Sequence, residues 1–393
     1  MLECETNINR TILMLNFNYC NPTRILFGRD EHKKLGEALK KENIGKVLIV
    51  YGGGSALKSG TISAVQASLE AVGIEYFTMG GVRANPTLEF ASKVKKVAVD
   101  SQVDALLAVG GGSVIDTCKV AAAWAKYDGD AWDFFTKGVA ITEAIPIACV
   151  LTIPAAGSEQ SIRMVINHDG LKLGTASEKI RPIISVVNPE LFFTLPENQI
   201  AAGVVDMISH IFERYFTNTE HVDFVSGQAE AAIRTAIEMG PKLLENHEDY
   251  DAWCQIAMVG SWAHNGYYGL GQVEDWACHA MEHELSAYDP TITHGAGLAV
   301  ITPAWLRHVA SVNPERMLRF AQKVMGTQGV EEGIAKLETF YRTMKMPAKL
   351  SEFGLNEEAL VACAKSACAR TGTIGQFKKL TSDDVLSIYK SVF

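Results

Sequence analysis

The chain has 393 residues, 48% of them apolar and 21% charged, which suits a globular protein of two or three domains, each able to bury its own core. Lysine and arginine number 36 against 45 aspartate and glutamate; the net charge of −9 and the lack of a basic run argue against nucleic acid and anionic membranes as partners. Eight scattered cysteines form no CxxC pair, and no apolar run reaches the roughly 18 residues of a membrane span, so reduced thiols and a cytoplasmic location are expected.

The opening MLECETNINRTILML lacks the basic start of a signal peptide, and residues 1–14 are expected as a disordered lead, with Met14 as an alternative start. KVLIVYGGGS (46–55) is an apolar strand ending in glycines, followed by a helix from about Gly60 to Ala71. GIEYFTMGGV (73–82) predicts a strand and NPTLEFASKVKKVAVD (85–100) a helix. VDALLAVGGGS (103–113) and VIDTCKVAAAWA (114–125) repeat the pattern of strand, glycine turn and helix. IPIACVLTIP (145–154) and PIISVVNP (182–189) are further strands, and MVINHDGLKLGTA (164–176) reads as a hairpin about Asp-Gly.

Strands alternating with helices predict a Rossmann-like, doubly wound parallel sheet. Beyond NPELFFTLPENQ (188–199) helical periodicity takes over, so an α/β domain over 1–193 and an all-α domain over 194–393 are expected.

Glycines between a strand and a helix let backbone N–H groups approach a phosphate, aided by the helix N-terminus. Gly110, Gly111, Gly112 and Ser113 fit that role, with Asp116 in the helix start; an ordinary tight turn competes, because GxGxxG is absent. In the earlier turn Gly52, Gly53, Gly54 and Ser55 stand where an acidic residue often holds the adenosine ribose. Small residues with Lys58 nearby leave room for a 2′-phosphate and favour NADP(H) over NAD(H).

Asp206 and His210 sit four apart in GVVDMISHIFERY, as do His279 and His283 in CHAMEHEL; His294 follows in THG. Residues at i and i+4 share a helix face, so each pair can reach one ion, and an N/O donor set suits Fe2+ or Zn2+. A single pair of this kind is usually a solvated face; two pairs in one helical domain shift the balance toward a metal. HExxH, GxSxG and the P-loop are absent, which removes the signatures of a metalloprotease, a serine hydrolase and an NTPase. Spacing alone does not say which histidines ligate. Cys278, beside the cluster, reads as a small apolar filler.

These stretches, with NPTRILFG, NPTLE, TIPAAGSE and the block from His264 to Pro303, resemble the iron-containing (group III) alcohol dehydrogenases, in their butanol-dehydrogenase-like, NAD(P)H-dependent aldehyde reductase branch. The resemblance spans about residues 15–393 and implies a dehydroquinate-synthase-like architecture and a homodimer. It implies that Asp206, His210, His279 and His294 hold the divalent metal and that His283 is a non-ligating histidine near nicotinamide and substrate. It further implies pyrophosphate on Gly111, Gly112 and Ser113, with Thr152, Ser158 and Lys172 lining the cofactor cleft. Asn188, Ala156 and Cys278 depart from the residues most relatives carry, and none is an implied ligand. The reaction expected is hydride transfer between NAD(P)H and a primary alcohol/aldehyde pair. A dehydroquinate-synthase-type lyase and a glycerol or polyol dehydrogenase are the alternatives.

Overall fold

The computed structural model of the chain describes residues 12–393. Its strands are β1 (Arg24–Phe27), β2 (Lys46–Tyr51), β3 (Glu75–Met79), β4 (Ala105–Gly110), β5 (Ile147–Leu151), β6 (Arg163–His168), β7 (Leu171–Ala176) and β8 (Ile184–Val187). Every residue of β4, β5 and β8 is buried, as expected for a parallel sheet covered on both faces. The six-stranded sheet has the order β1-β8-β5-β4-β2-β3 with every pairing parallel. β6 and β7 form the expected antiparallel hairpin about Asp169-Gly170, both at positive φ. Helices α1 (Leu35–Lys41), α2 (Ser55–Lys58), α3 (Thr61–Glu70), α4 (Leu88–Asp100), α5 (Gly112–Trp124) and α6 (Asp133–Thr136) accompany the sheet.

The sequence pattern does not mark β1. At four residues it is too short to show a period, and its strand character comes from pairing with β8, Arg24 opposite Ile184. The expected disordered lead is corrected at its end. Ile12 bridges to Thr219, Leu15 donates its N–H to the Gly271 carbonyl, and residues 1–11 lie outside the described residues.

After β8 the chain is helical: α7 (Glu197–Tyr215), α8 (Asp223–Glu245), α9 (Tyr250–Ala263), α10 (Ala277–Tyr288), α11 (His294–Val309), α12 (Pro314–Arg319), α13 (Val330–Thr343), α14 (Glu357–Cys368) and α15 (Ser382–Ser391). Pro196, with its φ of −61°, starts α7. From Ile200 to Tyr215 every residue of α7 is buried, which makes it the axis of the helical half. Two glycines allow its close contacts. A Cβ on Gly203 would run into the Pro154 carbonyl after β5, and one on Gly295 would overlap the Ala202 carbonyl of α7. The second contact brings the start of α11, and with it His294, against α7.

Candidate active site

The glycine turns lie side by side at the carboxyl ends of β2 and β4, where the sheet order reverses direction. Ligands of doubly wound sheets bind at that switch point. Gly110 ends β4 and Gly111 is the extended N-cap residue before α5, whose first N–H groups have no side-chain cap. A side chain on Gly111 would overlap Ile153, whereas Gly112 faces open space, so a phosphate can approach the backbone there. Ser113 follows in the first turn of α5, and the Thr152 N–H donates to the Gly110 carbonyl at 3.1 Å. After β2, Gly54 has φ +120°, which strongly favours glycine; Gly53 and Gly54 face open space, and Ser55 opens α2.

Asp116 and Ser158 are committed to each other. The Ser158 hydroxyl donates to Asp116 Oδ1 at 2.6 Å, and Asp116 Oδ2 accepts the Val165 N–H at 2.9 Å. Beneath them the buried Lys119 Nζ donates to Ser158 Oγ and to the carbonyls of Ser158, Ser161 and Arg163 at 2.7–2.9 Å. These bonds tie α5 to the strap between β5 and β6. Lys172, on β7, reaches α10 instead: Nζ donates to Ser286 Oγ at 2.9 Å and lies 3.6 Å from Glu282 Oε2.

The histidines gather around Asp206. Its Oδ1 lies 3.4 Å from His210 Nε2, 3.9 Å from His279 Nε2 and 3.7 Å from His294 Nε2. Four donors at the roughly 2.0–2.1 Å bond length of a tetrahedral divalent ion stand about 3.3 Å apart, so the spacing fits a shared cation. Asp206 Oδ1 and His279 Nε2 are buried with no hydrogen-bond partner. Such groups are costly to leave unmatched, and a cation would satisfy both. Asp206, His279 and His294 bring donor atoms within 4.8 Å of one another; His210 adds its nitrogen at Asp206 without joining that mutual set. His283 groups with Glu282 and His294 instead. Burial, then neighbouring imidazoles and Arg214, holds the His210 imidazole well below its ordinary pKa. Burial and Lys172 do the same for His283, so both rings are neutral at pH 7.

Sequence reasoning missed the carboxylates behind these rings. Glu213 Oε1 accepts His279 Nδ1–H at 2.7 Å, and Glu282 Oε2 pairs with His294 Nδ1. Each fixes the tautomer that leaves Nε2 free to ligate, the carboxylate–histidine–metal arrangement. Their signal was position: Glu213 lies three residues beyond His210 and Glu282 three beyond His279, on the same helix faces. Trp276 was also missed. It precedes α10 at φ 70°, rare for a bulky residue, and sets its ring edge-on to His210, His264 and His279 at 5.2–5.8 Å.

The sequence profile described as iron-containing alcohol dehydrogenase matches residues 22–189, and that of the C-terminal part of the Fe-containing alcohol dehydrogenase family matches 200–393. A probable NADH-dependent butanol dehydrogenase 1 of Bacillus subtilis is 41% identical, covering 96% of this chain and 100% of its own length. The NADPH-dependent aldehyde reductase YqhD of Escherichia coli is 35% identical over the same shares. Among solved structures, NADH-dependent butanol dehydrogenase A of Thermotoga maritima superposes with a TM-score of 0.94 at 38% identity, covering 97% of this chain and 99% of that one. With both halves matched and relatives of this identity aligned end to end, the chain belongs to the iron-containing alcohol dehydrogenase family.

Proposed function

We propose that the chain interconverts short aldehydes and primary alcohols with NAD(P)H, using Asp206, His210, His279 and His294 to hold a divalent cation, Fe2+ or Zn2+. The observation that carries this reading is the convergence of three imidazole Nε2 atoms on the buried, unpartnered Asp206 Oδ1. Relatives named as butanol dehydrogenases and as an aldehyde reductase support the substrate class. Such a cation supplies Lewis acidity toward an aldehyde or alcohol oxygen, and the nicotinamide supplies the hydride.

The protein's part is positioning. The N–H groups at Gly110–Ser113 hold the pyrophosphate, and the Gly52–Ser55 turn takes the adenosine end, with Thr152 beside the first turn. Asp116, Ser158 and Lys119 keep the strap fixed against α5, and Lys172 closes the cleft toward α10. We assign His283 the proton relay. Its neutral, half-buried ring, 5.4 Å from that of His294, supports the role.

NADP(H) is favoured over NAD(H), because residues 52–58 offer Lys58 and no carboxylate to a ribose 2′-hydroxyl. We place the division between cofactor and metal domains at 193/194, in the turn before α7. A homodimer is favoured by exposed apolar side chains: Leu13, Met14, Leu15 and Phe17 of the N-terminal segment are 43–57% exposed, and Phe224 at the start of α8 is 72% exposed. No helix among the described residues is long and apolar enough to cross a membrane, and the described cysteines are free thiols, which suits the cytoplasm. Steady-state oxidation of NADPH and NADH by metal-loaded protein with butyraldehyde tests the reading. Turnover with a higher kcat/KM for NADPH supports it, and absence of turnover with any short aldehyde refutes it.

A further inference from the structure

The centre holds a fifth imidazole that neither the four presumed ligands nor His283 accounts for. His264 is the C-cap residue just after α9, with its ring centroid 4.3 Å from that of His210 and 5.5 Å from Trp276. Arg214 of α7 fixes it: Nη1 donates to the His210 carbonyl at 2.6 Å, and Nη2 lies 2.8 Å from His264 Nδ1. A guanidinium has donors only, so the ring nitrogen facing it must accept, and the neutral imidazole carries its proton on Nε2.

The ring stands where the two halves of the chain meet. Ala263 and Asn265 are buried while His264 is half-buried. Gly157, at φ +64° in the strap after β5, packs directly on the His264 backbone, where a Cβ would come within 3.3 Å of its nitrogen. Arg163 and Arg214 both lie against the Trp276 ring and share Glu274, at 3.6 and 3.2 Å, so the local positive charge already faces a carboxylate. What remains for a ligand is one neutral N–H beside a presumed metal ligand.

We propose that His264 is a specificity-determining residue whose Nε2–H donates to a second, uncharged oxygen on the carbon next to the reacting carbonyl, so that short 2-hydroxy aldehydes are favoured over aliphatic aldehydes of equal size. The assignment rests on the aldehyde reductase reading above. A site that hydrogen-bonds a substrate hydroxyl discriminates against the analogue lacking it more sharply than an apolar pocket does in the reverse case.

Glycolaldehyde and propionaldehyde match in size and differ by that hydroxyl. They are compared on wild type, on His264→Phe, which keeps a flat ring against His210, and on His264→Gln, which restores a donor. The glycolaldehyde-to-propionaldehyde ratio of kcat/KM is expected to fall about tenfold in His264→Phe, chiefly through the glycolaldehyde KM, and to recover partly in His264→Gln. Saturation-transfer NMR with 1,2-ethanediol and 1-propanol, without cofactor, should show the diol preference lost in His264→Phe while metal content is retained. A ratio unchanged within about twofold, with diol binding as in wild type, overturns the proposal. Loss of metal from both variants also overturns it, since the ring would then serve only to support His210. If wild type turns over neither aldehyde, the dehydrogenase reading fails instead, and the diol titration decides the role of His264 on its own.

Discussion

Glu213 holds His279 at two points: its Oε1 accepts the backbone N–H at 2.8 Å and the ring Nδ1–H at 2.7 Å. The first bond fixes where α10 begins its approach to α7, and the second fixes the ring's rotation. Both aim Nε2 at Asp206.

Glu213→Gln weakens the ring bond and removes the charge that raises ligand basicity. Affinity for Zn2+ or Fe2+ is expected to fall about 10–100-fold, as measured by competition with a chelator of known affinity. Glu282→Gln should act in the same direction through His294. Unchanged affinity in both variants would show that these carboxylates do not orient ligands.

His279 and His283 are four apart on α10, yet they are expected to behave differently. His279→Ala should lose bound metal, and His283→Ala should keep the wild-type metal content while slowing turnover. Metal analysis of the two variants, purified without chelator, separates them. Equal metal loss in both would move His283 into the coordination sphere.

Gly295→Ala tests the packing that brings His294 to the site. Its methyl would overlap the Ala202 carbonyl, so α11 must shift from α7. A stability loss of about 1–3 kcal/mol in urea unfolding is expected, together with weaker metal binding. Gly112→Ala is the contrast, because its methyl meets open space: Tm should hold while KM for NAD(P)H rises.

The C-terminal helix carries an acid-sensitive cap. Burial pushes the Asp384 carboxyl up, but the Thr381 N–H and hydroxyl, Lys378 and His308 outweigh it and hold the group far below the usual carboxylate range. A depressed folded-state pKa gives stability that is present above the unfolded value of about 3.9 and lost as pH falls through the folded one. Asp384→Asn should therefore lower Tm near pH 6, with the gap to wild type constant above about pH 4 and narrowing only as pH falls below it. A gap independent of pH would contradict the assignment.

Much of this was legible in the sequence for identifiable reasons. Strands β2, β4, β5 and β8 announce themselves because burial on both faces demands unbroken apolar runs, and the Asp-Gly turn marks the β6–β7 hairpin. β1 gives no such signal, since its partner lies 160 residues away (Arg24 to Ile184). The candidate donors were visible as i,i+4 pairs, but such spacing is identical for His279 and His283. Only the placement of α10 against α7 brings His279 Nε2 within 3.9 Å of Asp206 and groups His283 with Glu282. Glu213 and Glu282 looked like ordinary helix charges until their carboxylates were found behind imidazoles. The left-handed Trp276 and the Arg214–His264 contact are tertiary facts with no local signature.

Removal and return of the metal tests the central claim most directly. Protein stripped by chelation and dialysed, with its metal content verified, is assayed for NADPH oxidation with butyraldehyde and assayed again after addition of Fe2+ or Zn2+. Activity should vanish with the metal and return on addition in wild type, and should not return in His279→Ala. Full turnover by verified metal-free protein would contradict a reaction that depends on Asp206, His210, His279 and His294.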